Sequence, residues 1–140
     1  MRRDIQRAFT VVLAAVLILF AAHTNALAAQ DQPLTQQMLD SKVKLIDIRT
    51  QSEWEQSGIV KGSYTLTFFD EKGGYDAKAF LAGLDKIVKK NETFGVICRS
   101  GNRTGKIIDF LRSSGYVNAF DVKGGINLAR QNGINTVPYK

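Results

Sequence analysis

The sequence predicts a single α/β domain with a mainly parallel central sheet flanked by helices on both faces. Three observations carry this expectation. Short apolar runs of the kind buried strands show recur along the chain. Amphipathic stretches of helical period separate them, so strand and helix alternate throughout. The length, 140 residues, suits one domain, and once a leader is set aside residues 29–140 still bury roughly two-thirds of their unfolded surface.

The leader comes first in the chain. Arg2, Arg3 and Arg7 form a basic start, and Ala8 to Ala22 runs apolar with Thr10 its one polar residue. Small residues Ala26, Leu27, Ala28 and Ala29 follow. This layout predicts a secretory signal peptide over residues 1–28, removed on export to the periplasm. An uncleaved anchor is the alternative, but a span needs about 20 apolar residues and His23 interrupts this run short of that. Losing Arg2, Arg3, Arg7 and Asp4 takes the formal net charge from +6 to +4.

Beyond the leader the elements follow in order. Leu34 to Leu39, after Pro33, predicts a short helix with Thr35 near its N-cap. Val43 to Ile48 reads as a buried strand. Thr50 caps a short helix that carries Trp54, a core residue, and ends near Ser57-Gly58. Tyr64 to Phe69 alternates as a second strand, and Asp70 to Gly74 is a loop. Asp76 to Val88 sets Phe80, Leu81, Leu84, Ile87 and Val88 on one helical face, closing in Lys89-Lys90 as a solvated helix end. Phe94 to Ile97 is a third strand. Thr104 to Ser113 is a helix with Ile107, Ile108 and Leu111 inward and Gly115 as its C-cap. Val117 to Val122 is the last strand, and Gly124-Gly125 opens a final helix.

Composition excludes a good deal of chemistry. One cysteine, Cys98, can build neither an intramolecular disulfide nor a cysteine zinc site. The one histidine, His23, leaves with the leader, which removes Cys–His dyads, Ser–His–Asp triads and histidine metal sites. The lysines are scattered, so no nucleic-acid or lipid patch is expected.

In parallel sheets ligands sit at the carboxyl ends of the strands, which directs attention to Cys98-Arg99-Ser100-Gly101-Asn102-Arg103-Thr104. A loop running into a helix N-terminus presents unpaired amides, a cradle for anions. Gly101 and Asn102 tolerate positive φ and allow the amides to curl inward. Arg99 and Arg103 add two permanent charges suited to oxyanions. A thiol at the mouth of this cradle is expected to be ionised and reactive. The bland alternative is a small buried hydrophobe at a strand end, and two flanking arginines weigh against it. Ser100, Asn102 and Thr104 also suit plain turn and cap roles.

These residues resemble the rhodanese (sulfurtransferase) superfamily. The Cys98–Arg103 loop is similar to the C-R-S-G-x-R loop of single-domain rhodaneses. Leu45-Ile46-Asp47-Ile48-Arg49 with Glu53-Trp54 resembles their D-V-R-x-x-x-E-[YF] segment. Ile59 through Leu66 resembles the stretch that usually reads G-H-I-x-G-A, and Val122-Lys123-Gly124-Gly125-Ile126 the closing G-G segment. The likeness covers residues 34–133. Gly58 stands where histidine is frequent, Leu128 stands where an aromatic is, and the usual first strand looks truncated.

The resemblance implies a rhodanese-like domain over residues 29–140 that moves sulfane sulfur. Cys98 would take sulfur from a small anionic donor such as thiosulfate, hold it as a persulfide, and yield it to a thiol or cyanide. Arg99, Ser100, Gly101, Asn102, Arg103 and Thr104 would bind substrate, with Asp47 and Arg49 as a structural pair or loop support. No metal, organic cofactor, nucleic-acid partner or stable membrane span is expected, and the protein is expected to act as a monomer. Two alternatives stand beside this reading. One is a binding module that carries persulfide or anions without turnover. The other is a phosphatase or arsenate reductase on the same fold, whose loop counts seven residues from cysteine to arginine against six here.

Overall fold

A computed structural model describes residues 30–140, so the leader expected over 1–28 lies outside the described residues. The chain order is α1 (Gln36–Asp40), β1 (Lys44–Asp47), α2 (Gln51–Ser57), β2 (Ile59–Val60), β3 (Tyr64–Thr65), α3 (Ala77–Leu84), β4 (Phe94–Ile97), α4 (Asn102–Ser113), β5 (Ala119–Asp121), α5 (Gly125–Gln131) and β6 (Thr136–Val137). The four strands β3-β1-β4-β5 form one sheet in that order, and every pairing in it is parallel. β2 and β6 make a separate antiparallel pair.

Side-chain alternation along the strands divides the apolar residues between two faces. Ile46, Ile48, Phe94, Val96 and Cys98 pack with Phe80 and Leu84 of α3 and Ile107, Ile108 and Leu111 of α4. Leu45, Ile97, Phe120 and Val122 pack with Leu34 and with Ile126 and Ala129 of α5, while Met38 and Leu39 of α1 cover the same cluster. The sheet is thus buried on both sides, which is why β1 and β4 read as continuous apolar runs. Each fully buried Leu, Ile or Phe contributes about 1.5–3 kcal/mol. These contacts hold the short helices α1 and α5, which have too few residues to be stable alone.

Local chemistry explains the element ends. Thr35 accepts from the Met38 amide at 3.3 Å and caps α1. Glu53 accepts from the Thr50 amide at 3.1 Å and closes the first turn of α2. Gly115, at φ 96°, follows α4, and the Tyr116 amide reaches back to the Leu111 carbonyl.

Several boundaries differ from expectation. The Tyr64–Phe69 strand shrinks to β3, although Leu66 and Phe68 still donate to the carbonyls of Asp47 and Ile48. The Asp76–Val88 helix stops at Leu84, where tighter turns begin. Lys89 and Lys90 are therefore not a helix end; Lys90 instead reaches the Ser114 carbonyl at 3.0 Å and lies over the Tyr116 ring. α4 begins at Asn102, two residues before the expected start. β2 and β6 have only two residues each and left no periodicity to read. The truncated first strand survives as one parallel bridge between Gln32 and Val122.

The register aligns the carboxyl ends of β1 and β4, with Asp47 beside Ile97. The next residues of each strand, Ile48-Arg49 and Cys98-Arg99, therefore emerge side by side.

Candidate active site

Cys98 follows directly on β4 and opens the loop into α4. Its sulfur accepts from the Gly101 amide at 3.2 Å and lies 3.7 Å from the Thr104 hydroxyl, which donates to the Gly101 carbonyl at 3.0 Å. Gly101 takes φ 89°, the left-handed turn this curl requires. The expected thiol at the mouth is instead at the floor. Cys98 is 1% exposed and its Cβ side belongs to the apolar core. Cys98 thus belongs to the core cluster while its sulfur accepts an amide of the loop.

The loop is pinned from below by α5. The Ile126 amide donates to the Cys98 carbonyl at 2.9 Å and the Asn127 amide to the Arg99 carbonyl at 3.0 Å. A Cβ on Gly125 would meet the Cys98 carbonyl oxygen at 2.4 Å, so the two backbones touch only because residue 125 has no side chain. With its carbonyls held there, the loop leaves the amides of Arg99, Ser100, Asn102, Arg103 and Thr104 without a backbone acceptor among the described residues. Unsatisfied donors at the head of the 12-residue helix α4 favour an anion in front of them.

The two arginines have different roles. Arg103 forms a two-pronged pair with Glu53 of α2, both contacts 2.7 Å. Arg103 lowers the Glu53 carboxyl to about 2, against desolvation that would raise it. The same pairing raises Arg103, and the neighbouring Cys98 sulfur adds to that rise. Arg103 therefore braces the loop against α2 and is not a free cation. Arg99 is exposed and has no side-chain partner among the described residues.

Asp47 and Arg49 form a buried ion pair. Arg49 is 1% exposed; its Nε and NH2 groups donate to both Asp47 oxygens, and its remaining donors reach Ser57 and the Gly58 carbonyl. The pair ties the end of β1 to the end of α2. Trp54 is buried against Tyr139.

Outside the loop an open cleft of about 660 Å³ is lined by Ser52, Glu53 and Gln56 of α2, by Asp70 and Glu71, and by Arg99, Ser100, Asn102 and Arg103. Of the loop residues singled out from sequence, Arg99, Ser100, Asn102 and Arg103 line the cleft, while Cys98, Gly101 and Thr104 are not in its lining and contact one another. Asn102 is the first helical residue rather than a left-handed one. Sequence reasoning missed the site roles of Glu53, Asp70 and Glu71. The Thr50-Gln51-Ser52-Glu53 spacing signals a capping box, but nothing local announces that its carboxylate also holds an arginine 50 residues away.

Among the described residues no helix is long and apolar enough to cross a membrane, and no three His, Cys, Asp or Glu residues form a group able to hold a metal ion.

Solved structures share this architecture. A rhodanese-related protein from Thermoplasma volcanium is 25% identical with TM-score 0.54, covering 72% of this chain and 90% of its own. Rv0390 from M. tuberculosis is 23% identical with TM-score 0.56, covering 69% and 77%. A rhodanese-like domain protein from Staphylococcus aureus is 19% identical with TM-score 0.54, covering 79% and 98%. No curated protein matches the chain. The rhodanese-like domain model matches residues 31–131, from the Asp31 edge of the sheet to the last residue of α5, and the chain therefore belongs to the rhodanese-like family.

Proposed function

We propose that the protein is a sulfurtransferase in which Cys98 carries sulfane sulfur as a persulfide. In the first half-reaction the Cys98 thiolate attacks the sulfane sulfur of a donor such as thiosulfate. The new S–S bond forms, the donor S–S bond breaks, and sulfite leaves with its electron pair. In the second, a thiol or cyanide attacks the outer sulfur and Cys98 is released as thiolate. No second cysteine resolves the persulfide within the chain, so discharge requires an external acceptor.

The observation that carries this reading is the Cys98 sulfur 3.2 Å from the Gly101 amide, at the head of a helix whose first amides have no backbone acceptor among the described residues. Such donors stabilise an anionic sulfur without a histidine. Gly101 and Thr104 would hold the sulfur, Arg99, Ser100 and Asn102 would meet substrate, and Arg103 would hold the loop in shape. Attraction for an anionic donor rests on Arg99 and the amides, because Glu53 neutralises Arg103. In this reading residues 1–28 are removed on export to the periplasm and residues 29–140 act as a monomer without metal or organic cofactor.

Mass spectrometry of the mature protein before and after thiosulfate tests the proposal. One added sulfur on Cys98 is expected. Cys98→Ser should keep the fold, stay unmodified and lose thiosulfate-to-thiol transfer. Wild-type transfer in that variant would refute the reading.

A further inference from the structure

The cleft beside the loop has a charge pattern that the persulfide chemistry alone does not explain. Arg103 and Glu53 neutralise each other across two 2.7 Å contacts. Three charges then remain in the lining: Arg99 on the loop, and Asp70 and Glu71 on the turn before α3. Asp70 is partly engaged, accepting from the Lys72 and Gly74 amides at 2.8 and 2.7 Å. The side chains of Arg99 and Glu71 have no hydrogen-bond or ion-pair partner among the described residues, and both residues are exposed. A purely anionic thiol would meet one cation and two carboxylates here. An ammonium without a carboxylate would find the acids but also Arg99. A molecule carrying both charges complements both.

We propose that the acceptor discharging the Cys98 persulfide is a small thiol bearing both an ammonium and a carboxylate, its ammonium toward Asp70 and Glu71 and its carboxylate toward Arg99. The volume, about 660 Å³, lies in the usual range of small-molecule sites and admits a free amino-acid thiol or a short thiol peptide. Ser52, Gln56, Ser100 and Asn102 add neutral polar groups to the same lining. The transfer step balances without an outside oxidant. The acceptor thiolate attacks the outer sulfur of Cys98–S–SH, and the acceptor S–S bond forms. The bond to Sγ breaks, and its electron pair stays on Cys98 as thiolate.

This inference rests on the sulfurtransferase reading, and one experiment separates the two. Protein is loaded with thiosulfate, freed of excess donor and checked for the added sulfur. Discharge is then timed with cysteine, cysteamine, 3-mercaptopropionate and 2-mercaptoethanol, each rate expressed per thiolate so that thiol acidity does not decide the order. Cysteine should lead 2-mercaptoethanol by about three- to tenfold, an advantage shrinking at high salt as exposed pairs do. Glu71→Gln should cut the cysteine and cysteamine rates relative to 2-mercaptoethanol by about two- to fivefold. Arg99→Gln should cut cysteine and 3-mercaptopropionate in the same way. Unchanged ratios in both variants, or 3-mercaptopropionate as the fastest thiol, overturn the acceptor assignment and leave the persulfide chemistry standing. Absence of the added sulfur in the wild-type protein before any thiol is supplied overturns both.

Discussion

Glu53 shows how much one side chain can carry. Its carboxylate closes the first turn of α2 through the Thr50 amide and holds Arg103 of the loop by two contacts. Both side chains are about a quarter exposed, so solvent screens the pair and its worth is about 1 kcal/mol, with the cap adding a similar amount. The folded carboxyl sits at about 2 against an ordinary 4.5. A depressed folded value means that the stability is fully present above 4.5 and is lost as pH falls toward 2. Glu53→Gln should therefore destabilise the protein by about 1–2 kcal/mol near neutrality. The gap between variant and wild type should narrow between pH 4.5 and 2, read by denaturant unfolding across that range. A gap independent of pH would show that the carboxylate charge contributes nothing. The variant should also form persulfide more slowly, because Arg103 is no longer braced.

At the scale of elements, α5 does what its length would not suggest. It has seven residues, yet its Ile126 and Asn127 amides hold the two carbonyls that turn the Cys98 loop. Gly125 makes this approach possible, at φ 57° with no room for a Cβ. Gly125→Ala is expected to cost about 2–4 kcal/mol, combining backbone strain with a forced separation of α5 from the loop. It should lower persulfide formation more than Gly133→Ala, where no atom stands within 4 Å of a new Cβ. Equal effects of the two substitutions on transfer would remove α5 from the account of the loop. Both glycines have positive φ, so backbone strain is common to both variants and the contact with the loop is what separates them.

For the molecule as a whole, the residues just after the expected leader form a strap on the sheet edge. Asp31 pairs with Arg112 at 2.7 Å and accepts from the Asp121 amide at 2.8 Å, and the Gln32 amide donates to the Asp121 carbonyl at 3.1 Å. Cleavage after Ala28 would leave this strap intact. If residues 1–28 are removed as proposed, N-terminal sequencing of the mature protein should begin at Ala29. Shortening the chain to start at Pro33 should remove about 1–2 kcal/mol, a fall of roughly 4–9 °C in thermal midpoint for a domain of this size. A truncated protein melting with the intact one would show that the edge needs no cover.

By itself the sequence determined the class of fold and singled out the loop proposed as the site. Continuous apolar runs such as Phe94 to Ile97 suit a strand covered on both faces, and the amphipathic helical stretches between such runs supply the cover. The cysteine between that strand and a helix carried its own signal, because strand end, glycine and arginines are adjacent in the chain. Tertiary structure decided what contacts between distant residues decide. It buried the thiol at the floor of its loop, since Cys98 points to the same face as Val96 and Phe94. It gave Arg103 to Glu53 and left the Arg99 side chain without a partner among the described residues, a difference that two identical side chains cannot show in sequence. It also brought Asp70 and Glu71 to the cleft and α5 beneath the loop. Local periodicity reports which face a residue takes, while charge pairing across tens of residues follows only once the packed sheet has set which loops meet.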